Sequence, residues 1–143
     1  MMIKRAETKD ELSLMLAMAE HHPAPEYDCP FEAWKEIVEK VFWPSKLFRV
    51  WIMYENEYPV GYIAAVRNNL LTYETEVFDI FIEPSMSHRF LVALTWEVKK
   101  WNDETGGKRV RFKTKVPRKV WEKALGLELT EEAEVIWTRH DGV

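Results

Sequence analysis

A chain of 143 residues with 47% hydrophobic and 31% charged residues is long enough to pack one domain and too apolar to be disordered. Its single cysteine, Cys29, excludes an internal disulfide framework and any cysteine-based zinc cluster, and no apolar run approaches the roughly 20 residues of a membrane span. The net charge of -4 conceals an asymmetry, because Lys99 to Lys123 holds ten of the twenty basic residues against Asp103, Glu104 and Glu122, a local excess of +7 that can draw phosphate, nucleic acid or an acidic surface. We read a single domain over residues 1–143, soluble, unexported and cytoplasmic.

Met2 to Glu7 is a short apolar-basic strand. Thr8 then stands as N-cap with Glu11 three residues on, a capping box, and Leu12, Met15, Leu16 and Ala19 recur at helical spacing to about His22. Pro23 and Pro25 end that helix. His21, His22, Asp28 and Cys29 include metal-ligating types, but adjacent helical histidines point about 100° apart, so no metal site is expected. Phe31 to Trp43 predicts a second amphipathic helix burying Phe31, Trp34, Ile37, Val38 and Val41, with Pro44 as its break.

From Leu47 the period changes. Leu47 to Tyr54 and Val60 to Val66 predict a hairpin with its polar tip at Asn56, and Tyr73 to Glu83 a third meandering strand. Strict alternation would put Glu76, Phe78, Ile80 and Ile82 on one face and Val77, Asp79, Phe81 and Glu83 on the other. Met86 to Glu104 carries Phe90, Leu91, Leu94, Val98 and Trp101 on a helical stripe and stops at Gly106-Gly107. Lys108 to Lys115 alternates, with Val110, Phe112 and Thr114 on one face and Arg109, Arg111, Lys113 and Lys115 on the other, and the intervening helix implies that this strand lies parallel to the one before it. Pro117 opens a short helix to Leu125 capped by Gly126, and Leu127 to Thr130 and Ala133 to Arg139 form a last hairpin. The expected class is α+β, a mostly antiparallel twisted sheet of about seven strands with helices on both faces.

The junction Ile82-Glu83-Pro84-Ser85-Met86-Ser87-His88-Arg89-Phe90 is the feature with most functional content. A strand ending beside a helix N-terminus gathers unpaired N–H groups and the positive end of the helix dipole at one spot, which suits an anion. Ser87, His88 and Arg89 add donors and charge there.

Four segments also match a known pattern in order and spacing. Ile3 to Asp10 is similar to an "I-R-x-A-x-x-x-D" start, Val60-Gly61-Tyr62-Ile63-Ala64 to an "x-V-G-x-x" strand, Val77 to Pro84 to a strand ending in "V-x-P", and Val120 to Leu127 to "Y-E-K-L-G-F". Together they resemble the GNAT family of N-acetyltransferases across nearly the whole chain. The resemblance implies transfer of an acyl group from acyl-CoA, with acetyl-CoA as cosubstrate, to a primary amine that attacks the thioester directly. It implies Glu76 as the base for the amine, the backbone of Ile80, Phe81 and Ile82 along the acyl-pantetheine arm, and Ser87, His88 and Arg89 as contacts for the diphosphate.

The pattern also departs from the family. Aligned on Pro84, Ser87 stands where the family has Arg or Gln, Phe90 and Val92 stand where it has glycines, and Trp121 replaces a Tyr that acts as acid. Side chains at those two positions are expected to narrow the phosphate cradle, and an indole N–H cannot serve as a general acid near neutral pH. The alternative function is therefore an inactive binding or assembly module on the same scaffold. Nucleic acid is not an expected partner, since no recognition motif accompanies the basic stripe, and the final strand offers an edge for a homodimer.

Overall fold

In the computed structural model, which describes residues 1–21, 30–69, 73–113 and 134–138, six strands form one sheet whose spatial order follows the sequence. They are β1 (Met2–Arg5), β2 (Phe48–Glu55), β3 (Tyr58–Asn69), β4 (Glu74–Ile82), β5 (Arg109–Lys113) and β6 (Glu134–Thr138). All neighbours pair antiparallel except β4 and β5, which run parallel through the crossover helix as expected. The described residues thus give six strands rather than about seven. The expected strand Leu127 to Thr130, the helix from Pro117 with Trp121, and the His22 to Cys29 loop lie outside the described residues.

Helices cover both faces. α1 (Lys9–Glu20) and α2 (Phe31–Ile37) pack on one, where Leu12, Met15, Leu16, Trp34 and Val38 meet Val50, Ile52, Tyr62 and Ala64. α3 (His88–Glu104) covers the other, where Leu91, Leu94, Val98 and Trp101 meet Trp51, Met53, Ile63, Val77 and Val110. Burying each such large apolar side chain contributes about 1.5–3 kcal/mol.

The capping box is present in full: the Glu11 N–H donates to Thr8 Oγ1 at 3.2 Å, and Glu11 Oε1 accepts from the Thr8 N–H at 3.1 Å and the Glu7 N–H at 3.0 Å. These donors, led by the Glu7 N–H, hold the Glu11 carboxyl below its ordinary pKa. Replacing Thr8 with Ala is expected to cost about 1 kcal/mol, read as a lower urea midpoint with an unchanged m-value.

The second helix departs from expectation. The α-helical pattern stops at Ile37 and continues as a π-helical turn, Val38–Phe42, whose extra residue rotates the chain beyond it. Trp34 and Val38 face the core, while Ile37 and Val41, expected inward, are 42% and 61% exposed. The hairpin tip is a two-residue turn with Glu55 opposite Tyr58 and φ of 51° and 71° at Asn56 and Glu57, the backbone of a type I′ turn.

α3 ends in a Schellman motif, as its glycine pair suggested. Gly106 adopts φ +77°, the Gly107 N–H donates to Asn102 O at 2.7 Å, and the Gly106 N–H donates to Asp103 O at 3.3 Å. A buried polar network locks this end of the helix to the sheet. Arg67 Nε donates to Thr75 Oγ1 at 3.2 Å, Thr75 Oγ1 donates to Asn102 Oδ1 at 2.8 Å, and Asn102 Nδ2 donates to Gly107 O at 3.1 Å. Arg67 also donates from Nη2 to the Thr105 hydroxyl and from Nη1 to its carbonyl, so the helix C-terminus receives the guanidinium charge. Burial holds the pKa of this arginine, only 6% exposed, below the ordinary guanidinium value.

Candidate functional site

β4 does not alternate strictly. Ala64 pairs with Asp79 but Ala65 with Val77, so Phe78 is an extra residue that bulges the strand. Before the bulge Val77 packs on the α3 face, and after it Ile80 and Ile82 do, whereas Phe78 and Phe81 join the α1 and α2 face. The expected grouping of Glu76 with Ile80 and Ile82 is therefore wrong beyond Phe78. The bulge is anchored by aromatic packing, with Phe78 5.1 Å from Phe42, 5.7 Å from Phe48 and 6.4 Å from Trp34 between ring centroids.

Asp79, expected on the face opposite Glu76, is consequently turned to the same side. Its carboxylate accepts a hydrogen bond from the hydroxyl of Tyr62, a fully buried side chain of β3. Sequence reasoning missed this partner. Tyr62 reads simply as a core strand residue, and the shift of register that brings the pair together is a property of the sheet.

Glu76 lines a cleft of about 440 Å³ between β4 and the end of the π-helical turn, with Val41, Phe42, Leu47 and Phe78 as apolar walls and Ser45 at its side. Val66 and Arg67 complete its lining, and Glu74, two residues before Glu76, lies 3.5 Å from Arg109 and 3.9 Å from Arg111. The half-buried Glu76 thus stands in a recess that could seat a small molecule through apolar contact while a carboxylate receives a proton or a cation.

The anion-favouring junction sits at the other end of β4. Phe81 approaches β3 closely, since a Cβ on Gly61 would lie 2.6 Å from the Phe81 carbonyl oxygen. Beyond Ile82 the chain turns tightly, with the Met86 N–H donating to Glu83 O at 2.9 Å, and Ser87 becomes the N-cap of α3 without a side-chain capping bond. His88 opens the helix, and the Arg89 guanidinium lies 5.0 Å over the Phe90 ring. Ser87, His88 and Arg89 are brought to one helix end. Glu76 lies six residues before Ile82 along β4, about 20 Å in extended chain.

Phe90 and Val92, expected to crowd the junction, join the α3 core cluster, against which Ile82 and Met86 of the junction also pack. Phe90 is 8% exposed within the α3 core cluster, and Val92 packs against that same cluster. Trp121 lies outside the described residues. No helix among the described residues is long and apolar enough to cross a membrane.

No protein-family model and no curated protein sequence matches the chain. Solved structures do match at the level of fold. A protein from Desulfovibrio desulfuricans described as an acetyltransferase of the GNAT family superposes with a TM-score of 0.68 at 17% identity, over 95% of this chain and 96% of that one. AAC(6')-Iy in complex with the bisubstrate analog CoA-S-monomethyl-acetylneamine gives a TM-score of 0.67 at 19% identity, over 97% and 98%. A chimera of the spermidine N-acetyltransferase SpeG from Vibrio cholerae and hSSAT gives 0.67 at 14% identity, over 96% of both chains. With its mixed sheet, its parallel β4–β5 crossover and its helices on both faces, this chain has the fold of the GNAT acetyltransferases.

Proposed function

We propose that the chain is an acyl-CoA-dependent N-acyltransferase that moves an acetyl group from acetyl-CoA to a primary amine. The observation that carries this reading is that Glu76 lines a largely apolar cleft, on a strand whose far end runs into the α3 N-terminus. In this reading the amine enters from the cleft and loses a proton to Glu76, directly or through water. Its nitrogen attacks the thioester carbonyl, the C–S bond breaks, and the thiolate leaves and takes up a proton from solvent. No activated serine or cysteine is required.

The roughly 20 Å of β4 between Glu76 and the helix end is a span for the long pantetheine arm. The backbone of Ile80, Phe81 and Ile82 would follow that arm, and Ser87, His88 and Arg89 would meet the diphosphate. Similar folds solved with a CoA-containing bisubstrate analog support this reading. The lone Cys29 suits a reducing compartment such as the cytoplasm.

Thermal melting with acetyl-CoA tests the proposal. At one hundred times its Kd the ligand should stabilise the fold by about 2.7 kcal/mol, roughly 5–10 °C in Tm. Release of free thiol with a panel of primary amines should accompany it. Absence of any shift at millimolar acetyl-CoA rules out the transferase, and a shift without turnover of any amine assigns the scaffold to a binding module.

A further inference from the structure

The cleft at Glu76 combines one acid with a hydrocarbon lining. Glu76 pairs across the sheet with Val66, which packs with the α1 and α2 cluster, so its side chain leaves β4 on the face of Phe42 and Phe78. Arg67, also at the cleft, turns its guanidinium the other way, to Thr75, Thr105 and the ring of Trp101. Among the described lining residues, Glu76 is therefore the one ionisable side chain directed to that face.

The walls are apolar and fixed. Phe42, Phe48 and Phe78 pack ring to ring with centroids 5.1 to 5.7 Å apart, and the Oγ of Ser45 is engaged by the Leu47 N–H at 3.1 Å. The apolar lining continues outward, because Val41 and Leu47 are 61% and 38% exposed, and Ile37, four residues before Val41 along the helix, is 42% exposed. Large apolar side chains left in water beside a cleft mark a surface that a ligand covers.

Other acids nearby are already matched. Glu36 lies 2.6 Å from Lys40, and Glu74 is shared by Arg109 and Arg111, so this acid brings two cations to the strands beside the cleft. A second ammonium on a ligand would meet hydrocarbon or arginine. Desolvating it there without a partner costs far more than a buried methylene gains.

We infer, resting on the acyl-transfer reading above, that the acceptor is a monoamine on an apolar frame, an alkyl or arylalkyl amine, with its ammonium at Glu76 and its hydrocarbon along Phe42, Phe78, Val41 and Leu47. Diamines and amino sugars are disfavoured by the same walls. The test is thiol release from acetyl-CoA by the full chain with matched amines. Hexylamine should exceed 1,6-diaminohexane, the same chain with a second ammonium, by at least about tenfold in kcat/KM, and the series from propylamine to hexylamine should rise about fourfold per methylene. Val41→Asp, at an exposed position, should cut the preference for hexylamine about tenfold, since it removes apolar contact from one amine and gives the other a carboxylate. The melting shift with acetyl-CoA should stay as in the wild type.

Equal rates for the two amines, or a preference for the diamine, overturn the substrate assignment and leave acyl transfer standing. If no amine is turned over, acyl transfer fails and binding alone reads the cleft, by thermal melting with hexylamine against 1,6-diaminohexane at equal ionic strength. A rise in Tm with hexylamine that is lost in Val41→Asp upholds the apolar-amine site, and an equal or absent rise overturns it.

Discussion

Replacing Glu76 with Gln should lower kcat/KM for a responsive amine by about 10²–10³-fold while leaving the acetyl-CoA melting shift as in the wild type. The substitution keeps the shape of the side chain in its cleft and removes only its capacity to accept a proton, so the deficit should reside in kcat. The bulge at Phe78 supplies the rival, because Asp79 is turned to the same side of the sheet as Glu76 and is held by Tyr62. If Asp79→Asn removes activity and Glu76→Gln stays within about twofold, the base is Asp79, since general-base removal is worth far more than that factor.

The largest effect on stability is expected at Gly107. A Cβ there would lie 2.6 Å from Asn102 Cγ and 2.9 Å from Arg67 Nη2, so Gly107→Ala must drive the Asn102 amide from its place. That amide accepts from Thr75 and donates to the Gly107 carbonyl, and the Arg67 guanidinium depends on the same arrangement. Displacing it leaves buried polar groups without partners, which should cost about 3 kcal/mol, or roughly 6–12 °C in Tm. Calorimetry of the variant reads this directly. A loss under about 1 kcal/mol would mean that the network relaxes around the added methyl and does not anchor α3.

Much of the architecture was legible because its signals are local. The Thr8–Glu11 capping box, the period-two runs of β2 and β3, the Gly106 cap and the helix between two strands each act over a few residues, and each appears where the pattern put it. The misread features depend on contacts distant in sequence. The π-helical turn comes from fitting Trp34, Val38 and Phe42 against Phe48 and Phe78, and the β4 bulge from seating Phe78 in that same aromatic group. Neither partner set lies within one helical turn or one strand pair. The candidate site shows the same division. Glu76 was named through the family resemblance and the Ser87–Arg89 junction through donors at a helix start, while the Tyr62–Asp79 hydrogen bond required the register of two bulged strands.

The strand order has a consequence for how the chain reaches its native state. β2, β3 and β4 pair as successive neighbours, so closing that meander involves short loops and little lost chain entropy. β5 can join β4 only after α3 has crossed the sheet, and β6 can join only after β5. The parallel seam and the β1–β2 pairing, which joins Arg5 to Trp51, are therefore the non-local closures of the sheet, and the entropy of the seam is recovered only when α3 seats its apolar stripe. The proposed acyl-transfer strand thus stands between an early-forming hairpin partner and a late-arriving one, so that β4 is the boundary between two cooperative units of unequal resistance to opening.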